Sequence, residues 1–304
     1  MSIIENLLAS HPIRKTEVQK EAFRTWAIEK SNKLGYSAKT DKIKMHNNVI
    51  VGNPETAEVV FTAHYDTPST MFFPNICIPK NPVLFWVYQF AVVFMIPVPC
   101  AIAAYFIGKW IGYDDLWRRV LSFTLIAQAL LILFGRANKN NANDNSSGVA
   151  ALFEIMERLP EERRDKAAFI LFDNEEKGLK GSKAFAKAHA EIKQNKMIIN
   201  LDCVGDGENI MLSANKQTRE MPAFSVLDDA MKQQSGRIYH MNKLEKCIYN
   251  SDQKNFKCGI AVCACRKSKF CYYFDKIHTN KDVVCDQKNL DFIADGLAAF
   301  VENL

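Results

Sequence analysis

The strongest pattern along the chain is a set of short apolar runs that stop abruptly at polar residues. "AEVVFTAH" ends at His64, "AAFILF" over 167–172 ends on "DNEE", and "MIINL" over 197–201 ends at Asp202. Short unbroken apolar runs of this kind read as strands buried on both faces. The segment 36–63 has room for three strands, the last being the run that reaches His64, and further strands are expected near 209–213 and at 259–265. Helical spacing fills the intervals. Phe23, Trp26, Ala27 and Leu34 mark one face of a helix that a Thr16/Gln19 capping box opens and Gly35 closes. Other helices are expected at 146–159, stopped by Pro160, at 179–190, near 222–234 and at 287–302. Strands alternating with helices predict an α/β fold with a largely parallel sheet covered on both faces.

One segment breaks the pattern. Residues 83–108 form an uncharged run of 26, and 120–135 form a second of 16. The first exceeds the ~20 residues that span a bilayer; the second falls near the lower bound of ~17. Leu116 and Trp117 extend it if Arg118 and Arg119 snorkel. Trp86, Trp110, Tyr113 and Trp117 sit near the ends, where interfacial aromatics collect, and Pro97 and Pro99 predict a kink in the first run. The expectation is a hydrophobic, membrane-spanning helical hairpin at 81–135, with a re-entrant hairpin or an apolar lid as the alternatives. It interrupts a single domain formed by 1–80 and 136–304, and the membrane contact falls on residues 82–135. Lys80, Arg136 and Lys139 flank it on one side while Lys109, Arg118 and Arg119 lie in its loop, so the positive-inside rule sets no orientation. A hairpin nonetheless returns the chain to the side it left.

Composition alters this picture little. Charged residues make up 24 % and hydrophobic ones 48 % of 304 residues, an ordinary globular balance. The net charge of +5 comes without a basic stripe interleaved with aromatics, so no nucleic-acid partner is expected. The nine cysteines have no regular spacing, and Cys263 and Cys265 lie in an apolar run as packing residues. "MSIIENLLASHPIRKTEV" lacks the apolar core of a secretory signal, and free thiols suit a reducing compartment. A membrane-associated protein with its catalytic domain on the cytoplasmic side is therefore expected.

The chemistry lies in the polar residues that end the apolar runs. Glu175 and Glu176 are adjacent at the mouth of a buried strand, where like charges repel. On a turn they diverge, so one can bind a metal while the other moves a proton. His64 ends a strand, with Asp66 two residues on, placed to accept the other imidazole proton. Asp144 precedes a helix, where a lone aspartate would read as an N-cap; Asp202 ends a strand, and His278 lies in a late loop. Open α/β sheets gather ligands at the carboxyl ends of their strands, which makes a shared metal site the economical reading.

The stretches "HYDT", "NDNSSGVAALFE", "FDNEEKGLKGS", "NLDCVG", "SDQKNFKCGI" and "IHTNKD" occur in this order over most of residues 55–300. In wording and order they resemble the co-catalytic zinc aminopeptidases of peptidase family M28, which also includes glutamate carboxypeptidases and the metal-free transferrin-receptor ectodomain. The resemblance implies a zinc exopeptidase-like fold, its mixed, largely parallel sheet interrupted here by the apolar hairpin. It implies two zinc ions, with manganese or cobalt as substitutes: one held by His64 and Asp202, the other by Glu176 and His278, with Asp144 bridging and a cis Asp144–Asn145 peptide. Glu175 would be the general base that takes a proton from the attacking water and hands it to the leaving amine. Asp66 would support His64, and Tyr249 would donate its hydroxyl to the tetrahedral intermediate or simply pack. Asp252 and Thr279 would line the site. Two features depart from the family: His64 and Asp144 are 80 residues apart because the hairpin lies between them, and "SDQ" stands where "SDH" is common. The implied activity is removal of N-terminal residues from peptides near a membrane surface. A carboxypeptidase, a small-amide deacylase and a non-catalytic membrane-anchored binding module are the rival readings.

Overall fold

The computed structural model describes all 304 residues. Its strands are β1 (Ala38–Ile43), β2 (His46–Val51), β3 (Val59–His64), β4 (Ala167–Phe172), β5 (Met197–Leu201), β6 (Asn209–Ala214), β7 (Ile238–Lys243), β8 (Cys258–Lys267) and the short β9 (Tyr272–Tyr273). They form one sheet in the order β1-β2-β4-β3-β5-β8-β6-β7, with β9 paired to β8. The middle of the sheet, β4-β3-β5-β8, is parallel, whereas β1/β2, β2/β4 and β6/β8 are antiparallel. Every residue of β3, β4, β5 and β6 is buried, which accounts for their unbroken apolar runs.

The helices are α1 (Ile3–Ser10), α2 (Glu17–Lys33), α3 (Pro82–Phe94), α4 (Pro97–Ile111), α5 (Leu116–Phe134), α6 (Gly148–Arg158), α7 (Lys180–Ala188), α8 (Ala190–Asn195), α9 (Lys216–Arg219), α10 (Ala223–Lys232) and α11 (Gln287–Glu302). The main core joins one sheet face to α1, α2, α6, α10 and α11, through residues such as Phe23, Phe61, Phe153, Phe169, Leu227 and Phe300. A smaller core under α7 and α8 covers the other face, around Phe172, Phe185, Ile192 and Phe256. The Thr16/Gln19 capping box forms as the sequence predicts, and Gly35 takes the left-handed conformation just past the end of α2.

Several short elements were not legible in the sequence, α1, α8, α9, β7 and β9 among them. The eight-residue α1 carries its own Ser2/Glu5 capping box. Strand β7 is a half-exposed edge strand whose "IYHMNK" shows little alternation.

The apolar segment forms three helices. The first uncharged run breaks between Phe94 and Pro97, and α3 and α4 meet at 41°. Pro97 takes the first position of α4, where its missing N–H costs nothing and its ring ends the preceding helix. α5 is 19 residues long, apolar enough to cross a bilayer, and has no buried residue. The chain leaves and rejoins the body at one place: Ser69 bridges to Ala137, Thr70 donates its N–H to the Arg136 carbonyl at 2.7 Å, and Asn138 donates to the Pro68 carbonyl at 2.9 Å. An antiparallel bridge between Cys77 and Phe274 adds a second tie.

Candidate metal centre

Register explains how residues far apart in sequence meet. In the parallel sheet His64 lies beside Phe172, and Thr62 lies beside Asn200, so β3, β4 and β5 end level with one another. The residues at or just beyond those ends are His64, the Asp173–Glu176 turn and Asp202. Asp144 arrives on a wide turn, Ala142–Ser147, that leads into α6, and His278 arrives on the loop after β9.

The side chains converge. His64 Nε2 lies 3.3 Å from Asp144 Oδ1 and 3.7 Å from Asp202 Oδ1. His278 Nε2 lies 3.1 Å from Asp144 Oδ2 and 3.6 Å from Glu176 Oε2. Asp144 thus presents one oxygen to each histidine. Two groups, His64–Asp144–Asp202 and Asp144–Glu176–His278, share that carboxylate, and a third, His64–Glu175–Glu176, lies across them. Donors bound to one zinc at about 2.0–2.2 Å in a tetrahedron are about 3.3–3.6 Å apart, close to the separations seen here. Glu176 Oε1 is buried and has no hydrogen-bond partner, which a cation would supply. Nitrogen and carboxylate oxygen donors also suit zinc, so the donor set fits it.

Electrostatics point the same way. Despite burial, Glu175, Asp144, Asp202 and Asp66 hold His64 well above the usual imidazole range. Burial, then the Asp144 charge, pushes Glu176 well above the usual carboxylate range, and burial with Glu176 and Asp252 nearby does the same to Glu175. So many buried carboxylates around two imidazoles lack countercharge without a cation.

A set of buried polar contacts holds these groups in place. Asp66 accepts the Glu175 N–H at 2.9 Å and the Glu176 N–H at 3.2 Å, so its carboxylate fixes the turn that carries both glutamates. Its carboxylate is 3.6 Å from His64 Nδ1, and its backbone carbonyl, at 3.2 Å, is the nearer partner of that nitrogen. Asp282 accepts the Asn143 and Asp144 N–H groups at 2.8 and 3.0 Å, bracing the Asp144 turn. Asp144 does not cap α6; Asn145 does, accepting the Gly148 N–H at 3.1 Å. The Asp144–Asn145 peptide is cis. A Cβ on Gly148 would collide with Asn145 and the Leu201 carbonyl, and one on Gly181 with the Asp173 carbonyl, so "NSSG" and "GLKG" carry glycine for close packing beside the site.

Beneath the glutamate turn, buried Lys20 donates to Asp173 Oδ1 at 2.6 Å and to Asn174 Oδ1 at 2.8 Å. Removing one partner of a buried ion pair costs about 3–5 kcal/mol. Lys20→Met should therefore lower the unfolding midpoint by several degrees; a midpoint within 1 °C or so of wild type would show that the pair contributes little. Fully buried Arg14 donates to the Tyr65 carbonyl, to Asn141 Oδ1 at 3.1 Å and to Ser146 Oγ at 2.9 Å, tying α2's approach to the Asp144 turn. Sequence reasoning assigned no role to Arg14, Lys20 or Asp282. Only Asp282 carried a signal, closing the "IHTNKD" stretch.

The cluster forms the floor of a cavity of about 620 Å³. Tyr249 lines it, but its hydroxyl donates to the Asp202 carbonyl at 2.8 Å. Asp252 and Thr279 are corrected: neither lines the cavity. Asp252 is buried behind the glutamate turn, accepting from the Ser182 hydroxyl, and the Thr279 hydroxyl donates to the Lys276 carbonyl at 2.6 Å. Gln253, at the "SDQ" position, donates to the Tyr249 carbonyl at 3.1 Å and accepts from Asn200 at 3.2 Å, so the amide is a brace. The opposite wall is the first apolar helix: Phe85, Trp86, Gln89 and Val93 of α3 face the same cavity. Gln89 also donates to Asn75 Oδ1 at 3.1 Å, and Tyr88 donates to the Pro74 carbonyl, docking α3 on the loop that follows His64.

Comparison with known proteins bears on the fold and the family. No curated protein sequence matches the chain. Among solved structures, the fold is similar to a Zn-dependent exopeptidase from Parabacteroides distasonis, with TM-score 0.63, 16 % identity, and 99 % of this chain and 96 % of that one covered. It is similar to a glutaminyl cyclase from Porphyromonas gingivalis, with TM-score 0.61, 16 % identity and coverages of 99 % and 96 %. It is also similar to a leucine aminopeptidase precursor from Bacteroides thetaiotaomicron, with TM-score 0.60, 15 % identity and coverages of 99 % and 95 %. The model of peptidase family M28 matches residues 131–301, more than half of the sequence and including Asp144, both glutamates, Asp202 and His278. The chain belongs to peptidase family M28.

Proposed function

We propose that the protein is a di-zinc aminopeptidase that removes N-terminal residues from peptides at a membrane surface. The carrying observation is the pair of donor groups that share Asp144, on the floor of a cavity rich in carboxylates. His64, Asp202 and one Asp144 oxygen would hold one ion; Glu176, His278 and the other Asp144 oxygen would hold the second. Zinc bound there supplies a Lewis acid for the scissile carbonyl and makes water acidic enough to attack at neutral pH. Glu175 takes the proton from the attacking water and returns it to the leaving amine, a task suited to a carboxyl whose burial raises its proton affinity. Asp66 holds Glu175 in position and orients His64. Tyr249 positions Asp202 through its carbonyl.

The cavity wall also bears on which peptide end is read. A terminal carboxylate is commonly held by arginine, and no arginine lines this cavity; Lys254 is its one ammonium group. The surplus carboxylates favour a free amine instead. This supports the aminopeptidase over the carboxypeptidase, and the complete donor set argues against a non-catalytic module.

In this reading residues 1–80 and 136–304 form the peptidase domain, and 81–135 the membrane insertion. α4 and α5 are the membrane helices. α3 lies between lipid and metals, so that its Trp86 and Val93 meet the first side chains of a substrate. Nine unpaired cysteines support a cytoplasmic catalytic domain.

The likeness to glutaminyl cyclases favours one competing chemistry: attack by the substrate's own N-terminal amine on its side-chain amide carbonyl, with ammonia as the leaving group, rather than attack by water. A panel of aminoacyl amides plus an N-terminal glutaminyl peptide, incubated with zinc-loaded protein, separates the two. The proposal predicts free amino acids as product. Release of ammonia with a cyclised N-terminus, and no cleavage elsewhere in the panel, would establish the cyclase instead.

A further inference from the structure

A second cleft, of about 270 Å³, opens where α3 leaves the body. Lys80 and Asn81, the two residues before α3, form one side, and the "KSKF" turn of Lys267, Ser268, Lys269 and Phe270 forms the other. We propose that this cleft binds the phosphate of an anionic membrane phospholipid at the level where the apolar hairpin enters the bilayer.

Three observations carry this. The first is unbalanced charge. Lys80, Lys267 and Lys269 are exposed and make no ion pair, because Arg266 and Lys276 take the neighbouring carboxylates Asp206 and Asp275. Lys80 and Lys267 nevertheless gather on one residue, their ammonium groups 5.1 and 5.6 Å from the centre of the Tyr272 ring. His240 packs against that ring, and burial followed by the charges of Lys80 and Lys267 pushes its pKa down. A bound anion would relieve this repulsion.

The second observation is donor geometry. Ammonium groups act as point charges toward phosphate and need no bidentate fork, so three lysines lining one cleft suffice for a phosphate cradle.

The third is position. Phe270, at the cleft's edge, is 81 % exposed, a large apolar side chain held in water between lysines. Across the cleft, the outer face of α3 begins with exposed Val83, Val87 and Phe90. Exposed apolar side chains at the start of the hairpin's first helix, with lysines just outside them, match the boundary between acyl chains and headgroups. An inorganic anion would have no use for Phe270. The cleft is separate from the cavity that holds the carboxylate cluster, so the site rests on the proposed membrane insertion of 81–135 and not on the hydrolase reading.

The test uses the full-length protein in a neutral detergent, titrated calorimetrically with dihexanoyl phosphatidylglycerol, dihexanoyl phosphatidylcholine and inorganic phosphate. Saturable binding of phosphatidylglycerol is expected, tighter than that of the other two and weakened by salt. Each lysine near an anionic lipid contributes about fivefold in affinity. K80Q/K267Q/K269Q should therefore bind at least tenfold more weakly, with unchanged hydrolysis of a soluble aminoacyl amide and an unchanged unfolding midpoint. Phe270→Ala should weaken lipid binding while leaving any phosphate binding as it was. Equal affinity of the triple variant and wild type would overturn the proposal. So would phosphatidylcholine binding as tightly as phosphatidylglycerol, or inorganic phosphate binding as tightly as either.

Discussion

Glu175→Gln is expected to reduce kcat about 10²–10⁴-fold, the range that a positioned general base contributes. Glutamine keeps the size and polarity of the side chain and cannot take up a proton. The backbone N–H of residue 175 would still donate to Asp66, so the turn should hold. Zinc content should stay at the wild-type level, because Glu175 lies outside both groups that contain Asp144. The paired readout matters, since Glu175 is also within reach of His64 and Glu176. A variant that loses zinc along with activity would mark Glu175 as a ligand. One that keeps both would remove it from the chemistry.

Chelation is expected to abolish turnover and lower the unfolding temperature by about 6 °C. A ligand present at a thousand times its Kd stabilises the native state by about 4 kcal/mol, and each kcal/mol shifts the midpoint of a chain this size by about 1.5 °C. The metal-free protein should also depend on pH in a particular direction. Burial, reinforced by Asp144 beside Asp282 and by Asp66 and Asp202 beside Asp252, pushes both carboxyls up to about 7. In the unfolded chain such groups titrate near 4. Between roughly pH 4 and 7 the folded form therefore holds protons that the unfolded form has released, and stability falls as pH rises through that window. Glu175, Glu176 and both histidines of the cluster, all shifted upward, act in the same direction. Differential scanning fluorimetry of chelated protein should give a higher midpoint at pH 6 than at pH 8, with the zinc-loaded sample much less sensitive. An unchanged midpoint after complete metal removal would contradict the buried-charge picture.

The sequence made some parts of the molecule legible and hid others, for physical reasons. β4 and β5 were found residue for residue because strands buried on both faces leave unbroken apolar runs. α11 was found over its whole length and α2 by its Thr16/Gln19 box, since amphipathic spacing and caps are local features. Strand order is not local. That β2 joins the sheet beside β4, antiparallel, follows from packing that no short window records. β7 escaped because an edge strand with half-exposed residues needs no alternation, and α1 because eight residues barely define a periodicity. At the site, the residues that end strands announced themselves by interrupting apolar runs. Arg14 and Lys20 did not: a lone cation in a polar stretch looks like surface until the fold buries it. The part of Asp66 was legible only in outline. Its distance in sequence from His64 suggested a partner for the imidazole, while its carboxylate mainly grips the glutamate turn, 109 residues away.

The central claim, that two zinc ions share Asp144, is tested most directly by a crystal structure of zinc-loaded protein with anomalous differences collected on both sides of the zinc absorption edge. Two zinc peaks are predicted, one on each side of the Asp144 carboxylate: the first beside His64 and Asp202, the second beside Glu176 and His278. A fully loaded crystal with no peak among these five side chains, or with a single peak that leaves Asp144 unshared, would contradict it.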